Sequence, residues 1–367
     1  MGDVKRGSGS LKYSTRLSTQ NKYLLFTLFV LVLLILFSGG FGLVDFFKEN
    51  LSQMKEEACG DGTPYNSCSS TKPYFCLDGE LMDLAYICGC PDGFAKKDNV
   101  CTSSYQTDPK EISLMYTLRG ESYSMNFLVY EGVADLISKI PRSIYYSDGN
   151  QYSRGDFNLK AVSDEEQRKF LLPLVIQIQD ITNDKEDQAR IAISIVQNIP
   201  FGVSNRTLTF GGTKVNYTRY PYEVLYDMEG VCGERTDLLA FLLGELGYGT
   251  ASFYYPSYNH EALGIKCPVE ESLEGSGYCF VETTGPSIIT DNKISYVGVG
   301  KLYGSPEVYP IYEGDSLGEG IYEYSDADKL IRIRKSIEKR GRVNIFMHNT
   351  YEKLNEKYGL INEYYSG

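Results

Sequence analysis

Residues 23 to 44 read YLLFTLFVLVLLILFSGGFGLV, 22 positions without a charge, roughly what a helix needs to cross a hydrocarbon core about 30 Å thick. Such a run divides the chain into a short leader and a large remainder. Lys5, Arg6, Lys12, Arg16 and Lys22 precede it with only Asp3 against them, whereas Asp45, Lys48 and Glu49 follow. The positive-inside rule therefore puts residues 1–22 in the cytoplasm and everything after Asp45 outside. A cleaved signal peptide competes with this reading, because Ser38, Gly39 and Gly40 are small and the most apolar part ends near Phe37. The long leader and the length of the uncharged run favour an uncleaved single-pass anchor in the cell membrane over residues 23–44.

Cysteine usage tests that orientation independently, since disulfides accumulate in oxidising compartments. Six of the nine cysteines fall between Cys59 and Cys101, in the order Cys59, Cys68, Cys76, Cys88, Cys90 and Cys101. The segment has too few apolar residues for a core of its own, so covalent staples are expected. Six cysteines allow 15 connectivities, and a zinc site is a further alternative, disfavoured because its ligand pairs usually stand two to four residues apart. The closing run CGCPDGFAKKDNVC, with one residue between Cys88 and Cys90, resembles an epidermal-growth-factor-like module. That resemblance implies bridges Cys59 to Cys76, Cys68 to Cys88 and Cys90 to Cys101. Residues 45–107 are read as this module with its linker, a spacer above the membrane.

The chain as a whole has the composition of compact structure, 42% hydrophobic and 23% charged over 367 residues. A net charge of -12, with no basic cluster after residue 22, argues against nucleic acid as a partner. Two sequons, at Asn205 and Asn216, are compatible with an external location. Ile112 to Arg119 and Ser124 to Tyr130 alternate like an antiparallel pair joined across Gly120. Glu165 to Ile181 and Asp184 to Ile199 carry apolar residues at helical spacing, with Asn183 or Asp184 as N-cap and Pro200 as terminator. A polar connection over 202–219 follows. The main domain is expected over 108–325, with two charged helices packing outside it over 326–367.

Within that domain, Glu229 to Gly249 reads EGVCGERTDLLAFLLGELGYG. Residues 234–246 are leucine-rich nearly all round and stop at Gly247, which predicts a buried central helix. Cys232 stands at its start, where unpaired N–H groups and the helix dipole favour thiolate over thiol. Gly230 and Gly233 are expected to permit a tight turn and to leave room for a substrate backbone. The chain has two histidines. His260 opens the strand NHEALGIKC, after a strand candidate TASFYYP, and the next candidate, GYCFVETT, carries Glu282. A hairpin register setting His260 directly opposite Glu282 completes a nucleophile, base and orienting carboxylate. His348 is read as structural.

GVCGE, NHEALGIK and FVETTGP, in this order and context, resemble the transglutaminase-like family. The resemblance spans roughly residues 184–286 and implies an α+β fold with a papain-like core, a central helix packed on an antiparallel sheet. It also implies a cysteine-dependent enzyme, either an acyltransferase or a hydrolase such as a cysteine protease or amidase, acting on a protein or peptide without a cofactor. Cys232, His260 and Glu282 would form the catalytic triad. Two departures concern the substrate: Glu282 stands where the family commonly has Asp, and the chain has no tryptophan, a residue frequent around the family's site.

Three classes of function follow from these residues. The first is a thiol acyl-transfer enzyme. The second is a catalytically inactive cell-surface binding module of the same fold. The third is a metal site of Cys232, His260 and Glu282. Pairing six, two and one cysteines leaves Cys232 as the odd thiol. A direct bridge between Cys267 and Cys279, however, needs a register four residues out from the one that faces His260 with Glu282, so the two exclude one another in a regular ladder.

Overall fold

The computed structural model describes residues 58–144, 152–210, 213–293, 295–296 and 300–360. The expected leader and anchor over 1–44 lie outside the described residues. Among those described, no helix is long and apolar enough to cross a membrane. The fold is mixed α+β with antiparallel sheets and four disulfides.

The cysteine-rich segment comprises strands β1 (Ser67–Cys68), β2 (Tyr74–Leu77) and β3 (Glu80–Asp83), a short helix α1 (Ala85–Cys88), and the hairpin β4 (Ala95–Lys97) with β5 (Val100–Thr102). Its bridges are Cys59–Cys76, Cys68–Cys88 and Cys90–Cys101, the pairing that the growth-factor-like spacing implies. The segment is more than a spacer. Cys59, Cys76 and Leu81 pack on Ile176 of the main domain. Leu81 N–H donates to Asp180 (3.1 Å) and Gln188 Nε2 donates to the Gly60 carbonyl (2.9 Å).

Strands β6 (Pro109–Leu118) and β7 (Glu121–Tyr130) form the expected hairpin. Arg119 (φ 53°) and Gly120 (φ 89°) both sit at positive φ, the geometry of a two-residue turn whose twist matches the strands. Ile112, Leu114, Tyr116, Phe127 and Val129 alternate inward. Two helices that the sequence reading omitted follow, α2 (Glu131–Ser138) and α3 (Arg154–Val162). The helices α4 (Glu165–Ile181) and α5 (Lys185–Gln197) lie where apolar periodicity puts them. Each starts at an aspartate cap: Asp164 accepts from the N–H of Glu166 and Gln167, and Asp184 from that of Asp187. The polar connection contains a hairpin, β8 (Thr207–Phe210) with β9 (Thr213–Asn216), and leads into α6 (Pro221–Asp227). Asn205 is exposed.

Helix α7 (Cys232–Glu245) begins two residues before the leucine pattern suggests, so Cys232 is its first helical residue. Leu238, Leu239, Phe241, Leu242 and Leu243 are fully buried, each worth roughly 1.5–3 kcal/mol of hydrophobic stabilisation. The helix packs on a four-stranded antiparallel sheet. Its strands are β10 (Thr250–Tyr255), β11 (His260–Lys266), β12 (Tyr278–Val281) and, beyond the short pair β13 (Ser295–Tyr296) and β14 (Gly300–Lys301), β15 (Glu307–Tyr312). Their spatial order is β12-β11-β10-β15. The sheet is covered on both faces. Leu263, Ile265, Cys267, Cys279 and Val281 join the helix-side core, while Phe253, Tyr255, Ala262, Leu273 and Phe280 form a second cluster behind.

The β11–β12 register corrects the sequence reading. Leu263 faces Val281, Gly264 faces Phe280 and Ile265 faces Cys279, midway between the two registers that were set against each other. Glu282 then falls beside Ala262, and Gly277 beside Cys267, whose N–H donates to the Gly277 carbonyl (3.0 Å). His260 and Glu282 are diagonal neighbours on one face, within reach of long side chains. Cys267 and Cys279 are the corresponding diagonal pair on the other face and are disulfide-bonded, Cα to Cα 5.7 Å. Neither pair excludes the other.

Helices α8 (Tyr322–Arg340) and α9 (Ile345–Tyr358) close the chain. Ala327, Leu330, Ile333, Tyr351 and Leu354 pack with Ile288, and Arg334 donates to both carboxylate oxygens of Asp291 (2.6 and 2.5 Å). His348 is half-buried, its Nδ1 3.9 Å from Glu352 one turn on.

Candidate active site

The three residues singled out in the sequence are brought together. Cys232 is the one free cysteine and is half-buried, while His260 and Glu282 are each about 2% exposed. His260 Nε2 lies 3.1 Å from Glu282 Oε2, and the ring also hydrogen-bonds the Cys232 side chain. With Nε2 engaged by the carboxylate, Nδ1 is the ring nitrogen left for the thiol. Burial alone would push the imidazole down. The hydrogen bond to Cys232 and the adjacent Glu282 carboxylate outweigh it, and the group ends at about 9.

Glu282 is held by donors that the sequence analysis did not pick out. Its Oε1 accepts from Thr283 N–H (3.0 Å), Thr284 N–H (2.7 Å) and Thr284 Oγ1 (2.5 Å). Gln197 Nε2, at the end of α5, donates to the Glu282 carbonyl (2.9 Å) and to Ser287 Oγ (3.2 Å). Thr283 Oγ1 lies 3.4 Å from the Cys232 carbonyl and 3.3 Å from Thr236 Oγ1. The first turn of α7 and the segment after β12 are thus tied to one another, fixing thiol and carboxylate relative to the imidazole between them. The repeated threonine after Glu282 was the available signal, since hydroxyls beside a carboxylate readily serve as its donors.

The start of α7 is set by Glu234. Its Oε2 accepts from Val231 N–H (3.0 Å) and its Oε1 from Arg219 N–H (2.8 Å). The Cys232 N–H takes part in none of the backbone hydrogen bonds outside regular elements, as expected for the first residue of a helix. One turn in, Arg235 is fully buried and donates through Nη1 to the Ile199 carbonyl, while Nε and Nη2 have no hydrogen-bond partner among the described residues. Burial pushes its guanidinium down to about 10, opposed by the charges of Glu282 and Cys232. A cation is therefore buried behind Cys232.

The expected vacancy at Gly233 is filled. A Cβ there would lie 2.7 Å from Arg154 Nη2 and 2.8 Å from Glu261 Oε2, so this glycine admits an ion pair of the protein itself, not a substrate backbone. Glu261 accepts from Arg154 (Nη2, 2.5 Å), Asn158 Nδ2 (2.6 Å) and Ser252 Oγ (2.6 Å). Asn158 Nδ2 also donates to Asp237 (2.7 Å). Burial, and next the Glu261 charge, hold the Asp237 carboxyl well above the usual carboxylate range. A raised folded value means that its contribution to stability is complete below the unfolded value of about 3.9 and is lost as pH rises toward the folded one. Asp237→Asn removes that loss. The variant is expected to melt above the wild type at pH 7, by about 2–4 °C for each kcal/mol gained, with the gap closing toward pH 4. Equal gaps at the two pH values would show that folding does not raise the Asp237 carboxyl.

Among the described residues no group of three or more His, Cys, Asp and Glu is arranged to hold a metal ion. Comparison with known proteins finds no match: no family model, no curated protein and no solved structure matches the chain.

Proposed function

We propose that the chain is a membrane-anchored, extracytoplasmic thiol enzyme of transglutaminase-like type, with a papain-like core, which cleaves or transfers an amide acyl group through a Cys232 acyl-enzyme. The observation that carries the reading is the hydrogen-bonded series of one free thiol, one imidazole and one carboxylate, in a chain whose other eight cysteines are all bridged. The anchoring half of the proposal rests on the uncharged run at 23–44 and the basic leader before it. Disulfides in the rest of the chain agree with an oxidising compartment.

The chemistry is that of covalent catalysis by an activated thiol. The Cys232 sulfur attacks the carbonyl carbon of an amide, either a peptide bond or a glutamine side chain, with its proton carried by His260. Charge gathers on the carbonyl oxygen, toward which the Cys232 N–H can donate. Collapse breaks the C–N bond, and the imidazolium gives its proton to the departing amine. Water then releases the acyl group as an acid, or a primary amine takes it as a new amide. Glu282 orients the ring and stabilises the imidazolium throughout.

The test is hydrolysis of a panel of peptide and glutamine amides by the full chain and its Cys232→Ala variant, with and without an added primary amine. Turnover in the wild type alone, with product partitioning to the amine adduct, is the expected result for acyl transfer, and acid alone for hydrolysis. Acylation of Cys232 seen by mass spectrometry would confirm the intermediate. If no amide acylates the thiol, the site is not an enzyme's and the fold serves as a binding module.

A further inference from the structure

The segment that runs beside the nucleophile is an open, apolar strand edge. Phe201 makes a parallel bridge with Gly230, two residues before Cys232. Gly230 N–H donates to the Pro200 carbonyl (3.1 Å) and Gly202 N–H donates to the Gly230 carbonyl (3.4 Å). In a parallel bridge of this kind the central residue turns its own N–H and C=O to the opposite edge. Neither group of Phe201 has a hydrogen-bond partner among the described residues. The side chains there are also uncovered. Phe201 is 63% exposed and Val203 is 70% exposed, whereas Phe127, Phe170, Phe241, Phe253 and Phe280 of the same domain are buried.

The segment is held from behind, which makes it a rigid template. The Ile199 carbonyl takes Arg235 Nη1 and the Gly202 carbonyl takes Arg219 Nη1 (3.1 Å), both from residues fully buried around the start of α7. An unpaired donor and acceptor on an extended residue, flanked by exposed apolar side chains, is the arrangement by which a strand edge captures an extended peptide. A strand added there would lie two strand spacings, about 10 Å, from Gly230, which about three residues of extended chain can span.

We infer that Phe201 and Val203 form a subsite for an extended peptide, which pairs its backbone with Phe201 and lays apolar side chains on Phe201 and Val203. This deepens the proposed function, on which it rests for the identity of the peptide as acyl donor. It excludes small amides and polar glycan-linked amides as the preferred substrates. Phe201 determines specificity and takes no part in the chemistry.

The experiment uses the full chain carrying Cys232→Ala and a fluorescent, acetylated hexapeptide amide of alternating leucine and glutamine, with binding followed by anisotropy. Two N-methylated forms, one methylated at the leucines and one at the glutamines, block alternate edges of the peptide. Binding is expected to weaken about tenfold in one of these forms and little in the other, at least tenfold when aspartate replaces leucine, and at least tenfold in Phe201→Asp but not in Phe201→Leu. Unchanged stoichiometric alkylation of Cys232, in Phe201→Asp with the cysteine restored, shows that the variant is folded. No saturable binding, equal binding of both N-methylated forms with the parent, or indifference to Phe201→Asp overturns the inference. Turnover of the same peptide by the wild type is scored separately. Binding without turnover sustains the subsite and overturns the enzyme, whereas turnover indifferent to Phe201→Asp does the reverse.

Discussion

Glu282→Gln is expected to lower turnover by about 10³–10⁴-fold, more than its near-isosteric shape suggests. The reason lies in which atoms surround the carboxylate. Oε1 accepts from three donors, Thr283 N–H, Thr284 N–H and Thr284 Oγ1. In the variant those donors retain the amide oxygen, and the NH₂ group is turned toward His260 Nε2. A neutral imidazole must then accept at Nε2 and carry its proton on Nδ1, the nitrogen facing the thiol. It can no longer take the thiol proton, a fault worth about four orders of magnitude in triads of this logic. His260→Ala removes the base and acid together and should cost at least 10²–10⁴-fold.

The pH profile separates this from a loss of structure. His260 sits at about 9 because Cys232 and Glu282 outweigh its burial, so the imidazolium needed by the departing amine persists through neutral pH. The alkaline limb of kcat/KM is expected near pH 9 in the wild type. Loss of the Glu282 charge removes a cause that raises the imidazole, so in Glu282→Gln the limb should move to lower pH. The stability sign runs the same way: His260 contributes fully below its unfolded value of about 6.5 and loses that contribution as pH rises through about 9. Wild-type turnover in Glu282→Gln, or a limb that does not move, would remove Glu282 from the site.

What could be read in the sequence was local or combinatorial. Helical periodicity located α4, α5 and α7, and cysteine spacing carried the three bridges of the small module. The strand that opens at His260 and the one that ends just before Glu282 were legible because their apolar runs are bounded by turn residues. The register between them was not, since side-chain parity restricts a hairpin to alternate registers but does not choose among them. Here the longer connection between β11 and β12 leaves the choice to tertiary packing. Strand β15 was missed because its pairing with β10 joins residues far apart in sequence. The filled space at Gly233 was illegible for the same reason: the side chains that occupy it come from α3 and β11, and a glycine in a sequence shows only that room exists.

Arg219→Met is expected to destabilise the fold by about 3–5 kcal/mol, the cost of leaving a buried charge without its partner. Arg219 is fully buried and its guanidinium is shared among Asp227 Oδ2 (2.7 Å), Glu234 Oε2 (3.1 Å), Glu229 and the Gly202 carbonyl. The acceptors do not suffer equally when it is lost. Asp227 keeps Arg206, which reaches both of its oxygens at 2.7 Å, and Glu229, over a third exposed, can rehydrate. Glu234 is 1% exposed and keeps only backbone N–H donors. Most of the penalty should therefore belong to Glu234, and Arg219→Met with Glu234→Gln should recover much of it, giving a favourable coupling in a double-mutant cycle. The same pair joins the cap of α7 to the Pro200–Gly202 edge, so Arg219→Met should also slow turnover of peptides under conditions where the variant remains folded. Denaturant unfolding of the two single variants and the double decides the matter. Strict additivity of the two substitutions would mean that the buried pair is not what holds the start of α7.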